Sequence, residues 1–149
     1  MASIGTFRQQ LKAAIGTSLT SGSYTLTAAT DVVTGYDDLG AASTLISGMS
    51  ATAVKMWIRP GVLTGINQDT RLREWLVRCD IWFGMARETD SDLSAIEGLL
   101  EAIFARWDER ANFSGVGTPK DIRCQMEDYD TKQSPVILHY VVEVTKTIC

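Results

Sequence analysis

The sequence contains few of the residues and segments that identify metal-binding, nucleic-acid-binding, secreted or membrane proteins. Its 149 residues include one histidine, three prolines and three cysteines, and the cysteine spacings match no zinc motif. Aspartate and glutamate (18) outnumber lysine and arginine (14), so the net charge of −4 argues against a direct nucleic-acid-binding surface. No apolar run approaches a transmembrane length, and the N-terminus lacks the features of a signal peptide. We therefore expect one cytoplasmically made domain that does not contact a membrane.

Residues that would perform catalysis are equally scarce. His139 lies in a predicted strand with no companion nearby in sequence, so we expect a structural or surface role for it. The adjacent Asp37 and Asp38 fit a solvated turn better than a cation site, and the acidic group around Asp128 lacks the pattern of a calcium loop. We predict no catalytic, cofactor-binding or metal-binding residue, no cofactor and no enzyme activity.

The most informative feature that is present is an alternating run over residues 73–85. A period of two predicts a half-buried strand, and a dozen residues span about 40 Å, roughly twice the usual strand length. We expect part of this strand to project, curl or pair with another subunit. The apolar face carries Trp75, Val77, Cys79, Ile81, Phe83 and Met85, and the other face carries Glu74, Leu76, Arg78, Asp80, Trp82 and Gly84.

The second face of this strand is either solvated or a contact with another copy, because charges of both signs alternate there with large apolar groups. Cys79 and Cys124 fall on apolar faces of predicted strands, so we expect both thiols to be buried. The candidate subunit-interface residues are Glu74, Leu76, Arg78, Asp80 and Trp82.

The remaining patterns predict an α+β domain. Helical spacing predicts a short amphipathic helix ending near Gly16 and a longer helix over residues 90–110 with a broad apolar stripe. We expect a mainly antiparallel sheet with both helices packed on one face and the long strand around residues 72–85. Alternation predicts further strands at 54–58, 122–126 and 136–144, with a turn over 65–70 before the long strand.

Residues 17–50 differ in composition from the rest, since serine, threonine, glycine and alanine dominate them. Apart from one weak strand near Tyr24, they are expected to form a long loop or arm within the single domain. Loops of this length are uncommon in compact domains and are usually functional. We therefore predict a second contact surface there, at Tyr36, Asp37 and Asp38.

Five features, in the order of the chain, carry a resemblance to a known family. The first three are a helix beginning Phe7-Arg8-Gln9-Gln10-Leu11, a central strand bounded by Pro60-Gly61, and a long strand containing Trp75-Leu76-Val77-Arg78-Cys79-Asp80-Ile81-Trp82-Phe83. An acidic-capped helix ending Phe104-Ala105-Arg106-Trp107-Asp108 and a closing hairpin complete the series. The chain resembles the tail terminator (tail completion) proteins of long-tailed bacteriophages, in size and element order. That resemblance implies a non-enzymatic ring, usually a hexamer, located at the head-proximal end of the virion tail and assembled in the host cytoplasm. Such a ring caps the tail tube protein, offers its other face to the head–tail connector protein, and lets DNA pass through its lumen without specific binding.

Two alternatives stay open from the residues alone. The chain fits another head–tail connector or tail tube subunit nearly as well. In a different class, it fits a small cytoplasmic α+β enzyme or ligand-binding domain whose polar site is assembled from residues distant in sequence.

Overall fold

A computed structural model of the chain describes residues 3–34, 48–67, 72–86, 90–115, 117–130 and 135–148. It has the predicted α+β architecture, with a mainly antiparallel sheet and helices packed on one face. The helices are α1 (Ile4–Ala14), α2 (Ala28–Asp31) and α3 (Asp90–Asp108), followed by a 3₁₀ turn (Arg110–Phe113). The strands are β1 (Ser18–Ser21), β2 (Tyr24–Thr27), β3 (Val32–Thr34), β4 (Val54–Ile58), β5 (Val62–Asn67), β6 (Leu72–Met85), β7 (Asp121–Asp130) and β8 (Val136–Ile148).

The main sheet has the order β3-β4-β6-β8-β7, and β5 pairs with β6 beyond the end of β4. Every pairing in it is antiparallel except the parallel pair β3–β4. The long strand β6 is central: β8 pairs with it from Arg73 opposite Ile148 to Met85 opposite Val136, while β4 and β5 share its other side. The expectation that part of this strand projects or pairs with another subunit is therefore wrong, because the chain itself pairs both of its sides.

The chain changes direction between β4 and β5 at Pro60 and Gly61. Proline cannot donate a backbone hydrogen bond to a neighbouring strand, which ends β4. A Cβ at Gly61 would overlap the side chain of Ile4, so glycine lets α1 approach the sheet closely here. The predicted turn over 65–70 is wrong for residues 65–67, which belong to β5, while residues 68–70 lie outside the described residues.

The hydrophobic core lies between the sheet and the helices α1 and α3. Trp107 of α3 is fully buried, and its Nε1 donates a hydrogen bond of 2.9 Å to the carbonyl oxygen of Leu11, which ties α3 to α1. At the start of α1, the backbone N–H of Thr6 donates to the side-chain oxygen of Ser3, a standard N-cap. The predicted packing of the long helix on Val77, Cys79, Ile81 and Phe83 is confirmed.

Residues 17–34 contain more regular structure than expected. The weak strand near Tyr24 is confirmed as β2, but β1, the turn α2 and β3 also form where a loop was predicted. These elements escape a pattern search because they are three or four residues long and rich in threonine. The hydroxyl of Tyr24 donates to the carbonyl oxygen of Gly84 at 2.8 Å, which fixes the β1–β2 hairpin to the end of β6. Residues 35–47, with the predicted contacts Tyr36, Asp37 and Asp38, lie outside the described residues.

Candidate functional site on the open face of the sheet

One face of the main sheet is covered by α1 and α3, and no described helix packs on the other. We call this second face the open face. The strand register brings side chains from four strands together on it. They are Lys55 and Trp57 of β4; Glu74, Leu76, Arg78, Asp80 and Trp82 of β6; Ile137, His139, Val141, Glu143, Thr145 and Thr147 of β8; and Asp121, Arg123 and Gln125 of β7.

A buried ionic cluster lies at the end of the open face near β4. The carboxylate of Asp80 has no exposed surface, accepts a hydrogen bond from Nε of Arg59, and lies with Oδ1 2.7 Å from Nε2 of His139. These residues are far apart in sequence, and the sheet assembles them. Trp57 lies opposite Asp80 in the β4–β6 pair, and Trp82 lies opposite His139 in the β6–β8 pair.

Two tryptophans frame this cluster. The ring of His139 stacks on Trp82, with ring centroids 5.0 Å apart and planes inclined by 14°. The guanidinium of Arg59 lies 4.6 Å from the ring centroid of Trp57, within the range of a cation–π contact. Together with Met49, both tryptophans form a small hydrophobic cluster that shields the polar groups from water. We refer to Arg59, Asp80 and His139 with the two tryptophans as the buried cluster.

Electrostatics keep Asp80 ionised. Burial alone would raise the pKa of its carboxyl group, but the hydrogen bonds from His139 and Arg59 and the positive charge of the guanidinium outweigh burial and leave the pKa below its usual value. The neighbouring thiol of Cys79 behaves in the opposite way, because burial and the charge of Asp80 raise its pKa. Asp80 therefore acts as a permanent acceptor that joins β4, β6 and β8.

The predicted interface residues divide into two groups. Asp80 and Trp82 are 0% and 9% exposed, so their side chains pack inside the subunit. Glu74, Leu76 and Arg78, toward the other end of β6, remain partly exposed and can reach a neighbour. We call this second region, together with its register partners Thr147, Thr145 and Glu143 on β8, the exposed half of the open face.

The exposed half contains polar atoms with unusual surroundings. Glu74 forms an ion pair of 2.7 Å with Lys120, and Arg78 lies opposite Glu143 in the register. The Nε of Arg78 and the hydroxyl of Thr147 are buried without a hydrogen-bond partner in the part of the chain that the structure describes. Nearly all buried polar atoms of folded proteins have a partner, so these two atoms are under-satisfied within the described part of the chain, as are two side-chain nitrogens of Arg8 in α1.

Sequence reasoning missed the partners of His139 and the exposure of Cys124. The signal for His139 was present: antiparallel pairing of two long strands places it opposite Trp82 and diagonal to Asp80. Cys79 is fully buried as predicted, whereas the prediction for Cys124 is wrong, because that residue lies on the outer strand β7 and is exposed. Its alternation with polar neighbours places it on the helix side of the sheet, but the helices do not extend over β7 there.

A carboxylate that holds an imidazole is the arrangement by which many enzymes orient a general base. Here both oxygens of Asp80 are occupied, and one face of the His139 ring is covered by Trp82. None of the three surface clefts described is lined by these residues. No group of three or more potential metal ligands occurs among the described residues. The buried cluster therefore fits a structural tie between strands better than a reactive centre.

Comparison with known proteins adds no family to this description. No protein-family model matches the chain, and none of the curated proteins compared with it gives a match. None of the described helices combines the length and apolar character that a membrane span requires. Function is therefore argued from the open face and from the outer strands of the sheet.

Proposed function

We propose that this protein is a tail terminator of a long-tailed bacteriophage, a structural virion protein without enzymatic activity. Identical subunits form a closed ring, a hexamer by analogy with the family it resembles. The ring caps the tail tube at its head-proximal end, stops its polymerisation and joins it to the head connector. The subunits assemble in the host cytoplasm and act in the virion.

The observation that carries this proposal is the exposed half of the open face. It presents a mixed-charge surface on which Leu76 is partly exposed among Glu74, Arg78 and Glu143. A surface of this kind favours a specific protein contact, because an imperfect fit would leave a buried charge unpaired.

The charge balance supports a role around DNA without binding to it. A net charge of −4 gives the subunit an overall field that repels phosphates. A ring through which DNA passes during packaging and ejection works best when its wall does not hold the backbone. The same charge argues against a subunit that grips DNA directly.

Replacing Arg78 with glutamine tests the proposed contact. Glutamine removes the charge and avoids the second carboxylate that glutamate would place opposite Glu143. We expect wild-type protein to have about six times the subunit mass of 16.3 kDa by light scattering, and rings in negative-stain images. Arg78→Gln should shift the mass toward 16.3 kDa at the same concentration while far-ultraviolet circular dichroism stays unchanged.

The matched control is Arg110→Gln. Arg110 is exposed in the 3₁₀ turn that packs against α1 and α3, on the helix side of the sheet, so its loss should leave the ring intact. In a phage that carries the gene, interruption of the gene should give tails of uncontrolled length or heads without tails. A wild-type protein that stays monomeric, or normal virions after interruption, would contradict the proposal.

One observation favours a second candidate, a small α+β enzyme or ligand-binding domain. The sheet brings Asp80, Arg59 and His139 together although they are distant in sequence, as such a site requires. The full burial of Asp80 and the tryptophan cover weigh against it. A stable monomer in light scattering would favour this candidate over a ring.

A further inference from the structure

The main sheet ends in two outer strands that could each accept another strand. Strand β7 pairs only with β8, and β5 pairs only with β6, so one side of each carries no ladder in the described part of the chain. Strand β3, on the same flank as β5, has only three residues. Unpaired outer strands of ten and six residues are sites where a sheet is extended unless the protein protects them.

The exposed apolar side chains point to the same two strands. In the described part of the chain, the large hydrophobic residues that are exposed are Val62, at 58%, and Met126, at 49%. Val62 begins β5 and Met126 lies in β7, on opposite flanks of the sheet. A contact that joins one flank to the other would involve both residues, whereas a contact between two identical flanks would involve only one. At such a junction Val62 would lie on the open face, like its partner Leu76, and Met126 on the helix side, like its partner Tyr140.

We propose that β7 of one subunit pairs with β5 of the next copy of this chain, so that the sheet continues from subunit to subunit. This inference rests on the proposed ring and supplies its contact. Strand β5 is antiparallel to β6, β6 to β8, and β8 to β7, so β5 and β7 run in opposite directions. Repeating the subunit side by side therefore places these two strands antiparallel without turning either copy over, as a head-to-tail ring requires.

The charges of the two outer strands favour pairing of β7 with β5 over pairing of β7 with the β7 of another copy. Strand β7 carries four acidic residues and one arginine, whereas the sequence of β5 contains no charged residue. Two copies of β7 laid side by side would bring like charges together across the junction, which is unfavourable. A neutral β5 avoids that repulsion, so the geometry of the flanks and their charges agree on a head-to-tail contact.

The positions of the two strands along the sheet add a geometric consequence. Val62 of β5 lies opposite Leu76 of β6, and the rest of β5 continues from there toward Leu72. Asp121 of β7 lies at the same level as Leu76, because both residues pair with Thr145. From that level β7 runs toward the level of Asp80, in the direction opposite to the extent of β5. The two strands share only this level, so their pairing requires each copy to be displaced along the strand direction relative to the previous one, the stagger that accompanies strand tilt in closed barrels.

Two lysine variants test the junction. Val62→Lys and Met126→Lys each place a charge on one flank, a device by which natural proteins prevent strands from pairing. Both side chains are about half-exposed, so the far-ultraviolet circular dichroism should match the wild type. Each variant alone should move the light-scattering mass from the ring toward 16.3 kDa.

Mixing the two variants provides the decisive measurement. The Val62→Lys subunit keeps an intact β7 flank, and the Met126→Lys subunit keeps an intact β5 flank, so one junction can form between them and none beyond it. We expect a heterodimer of about twice 16.3 kDa in native mass spectrometry of the mixture, and monomers in each variant alone. Loss of assembly in Met126→Lys only, with no heterodimer on mixing, would mean that β7 pairs with itself and would overturn the inference.

Cross-linking gives an independent measurement with nearly the natural chain. Cys124 is exposed in the middle of β7, so when a single cysteine is introduced in turn at each of residues 62 to 66, an intersubunit disulfide should form at the one position that faces Cys124. Cys124→Ser is the control that should abolish it. If both lysine variants assemble like the wild type and no cross-link forms, the inference is overturned. In that case the proposed function still stands if Arg78→Gln dissociates the ring. If both lysine variants dissociate but a phage whose gene is interrupted still makes normal tails, the β5–β7 junction stands and the proposed function is overturned.

Discussion

Replacing Asp80 with asparagine should destabilise the subunit more than any other single removal of a carboxylate charge in the described sheet. The substitution keeps the size of the side chain but removes a charge that accepts hydrogen bonds from Arg59 and His139. Asparagine can accept the bond from Arg59 through its oxygen, and its amide can donate to Nε2 of His139 only when the imidazole carries its proton on Nδ1. Both bonds then lose the carboxylate charge that strengthens them.

The size of the effect follows from the exposure of the partners. A hydrogen bond to a charged group contributes about 1.5–3 kcal/mol to stability, and Asp80 accepts two. The Arg59 side chain is 36% exposed and regains water when its partner is lost, so only part of its contribution counts. The His139 side chain is 21% exposed, and asparagine keeps one acceptor. We expect Asp80→Asn to lower the free energy of unfolding by about 2–3 kcal/mol.

Urea unfolding followed by tryptophan fluorescence measures this loss, at one protein concentration because assembly also stabilises the fold. The pKa of Asp80 is lowered in the folded state, so its contribution is fully present above the ordinary aspartate pKa of about 3.9 and is lost as the pH falls through the folded value. The difference between wild type and Asp80→Asn should therefore shrink as the pH falls below about 4.

Glu74→Gln is the matched control on the same strand. Its ion pair with Lys120 joins side chains that are 38% and 56% exposed, and such surface pairs contribute about 0–1 kcal/mol. A loss at Asp80 no larger than the loss at Glu74, or a difference that does not change in acid, would refute the argument that a buried ionic cluster ties the strands together.

Two further predictions concern the core and the histidine. Trp107→Ala should lower the free energy of unfolding, measured by urea titration, by about 3–5 kcal/mol, because it empties a fully buried site and leaves the carbonyl of Leu11 without its donor. A change below about 0.5 kcal/mol would mean that the apolar stripe of the helix is not part of the core. His139→Gln should leave tail length and infectivity intact, since glutamine can still donate to Asp80; loss of function with unchanged circular dichroism would instead support a catalytic histidine.

The parts of the fold that sequence predicts well are those whose pattern is long. The alternation over residues 73–85 and the apolar stripe that ends at Trp107 each repeat many times, so strand, helix and core face all follow from them. Strand β5 was predicted as a turn because Gly65 and Asn67 favour turns locally. Pairing with β6 overrides that preference, and tertiary context commonly does so for short strands.

The candidate site follows less well from the sequence, because it depends on distances between strands. His139 is isolated along the chain because Asp80, its partner, lies in β6, and Arg59, which shares that carboxylate, lies just after β4. Whether a strand is central or outer is likewise a property of the whole sheet. The unusual length of β6 therefore suggested an intermolecular strand, while the outer positions belong to β5 and β7.

The exposed half of the open face and the outer strand β5 belong to one continuous surface. Val62 lies opposite Leu76, and Leu76 is two residues from Arg78 on the same face of β6. A β7 strand added beside β5 would be separated from β6 by the width of β5, so its acidic residues would border this surface without reaching Arg78. The buried cluster lies toward the other end of β6 and joins the segment just after β4 to β8, so it stiffens the part of the sheet that such a junction does not support. The two proposals therefore concern neighbouring parts of one surface, in which strand pairing supplies the adhesion and the charges of the exposed half supply the specificity.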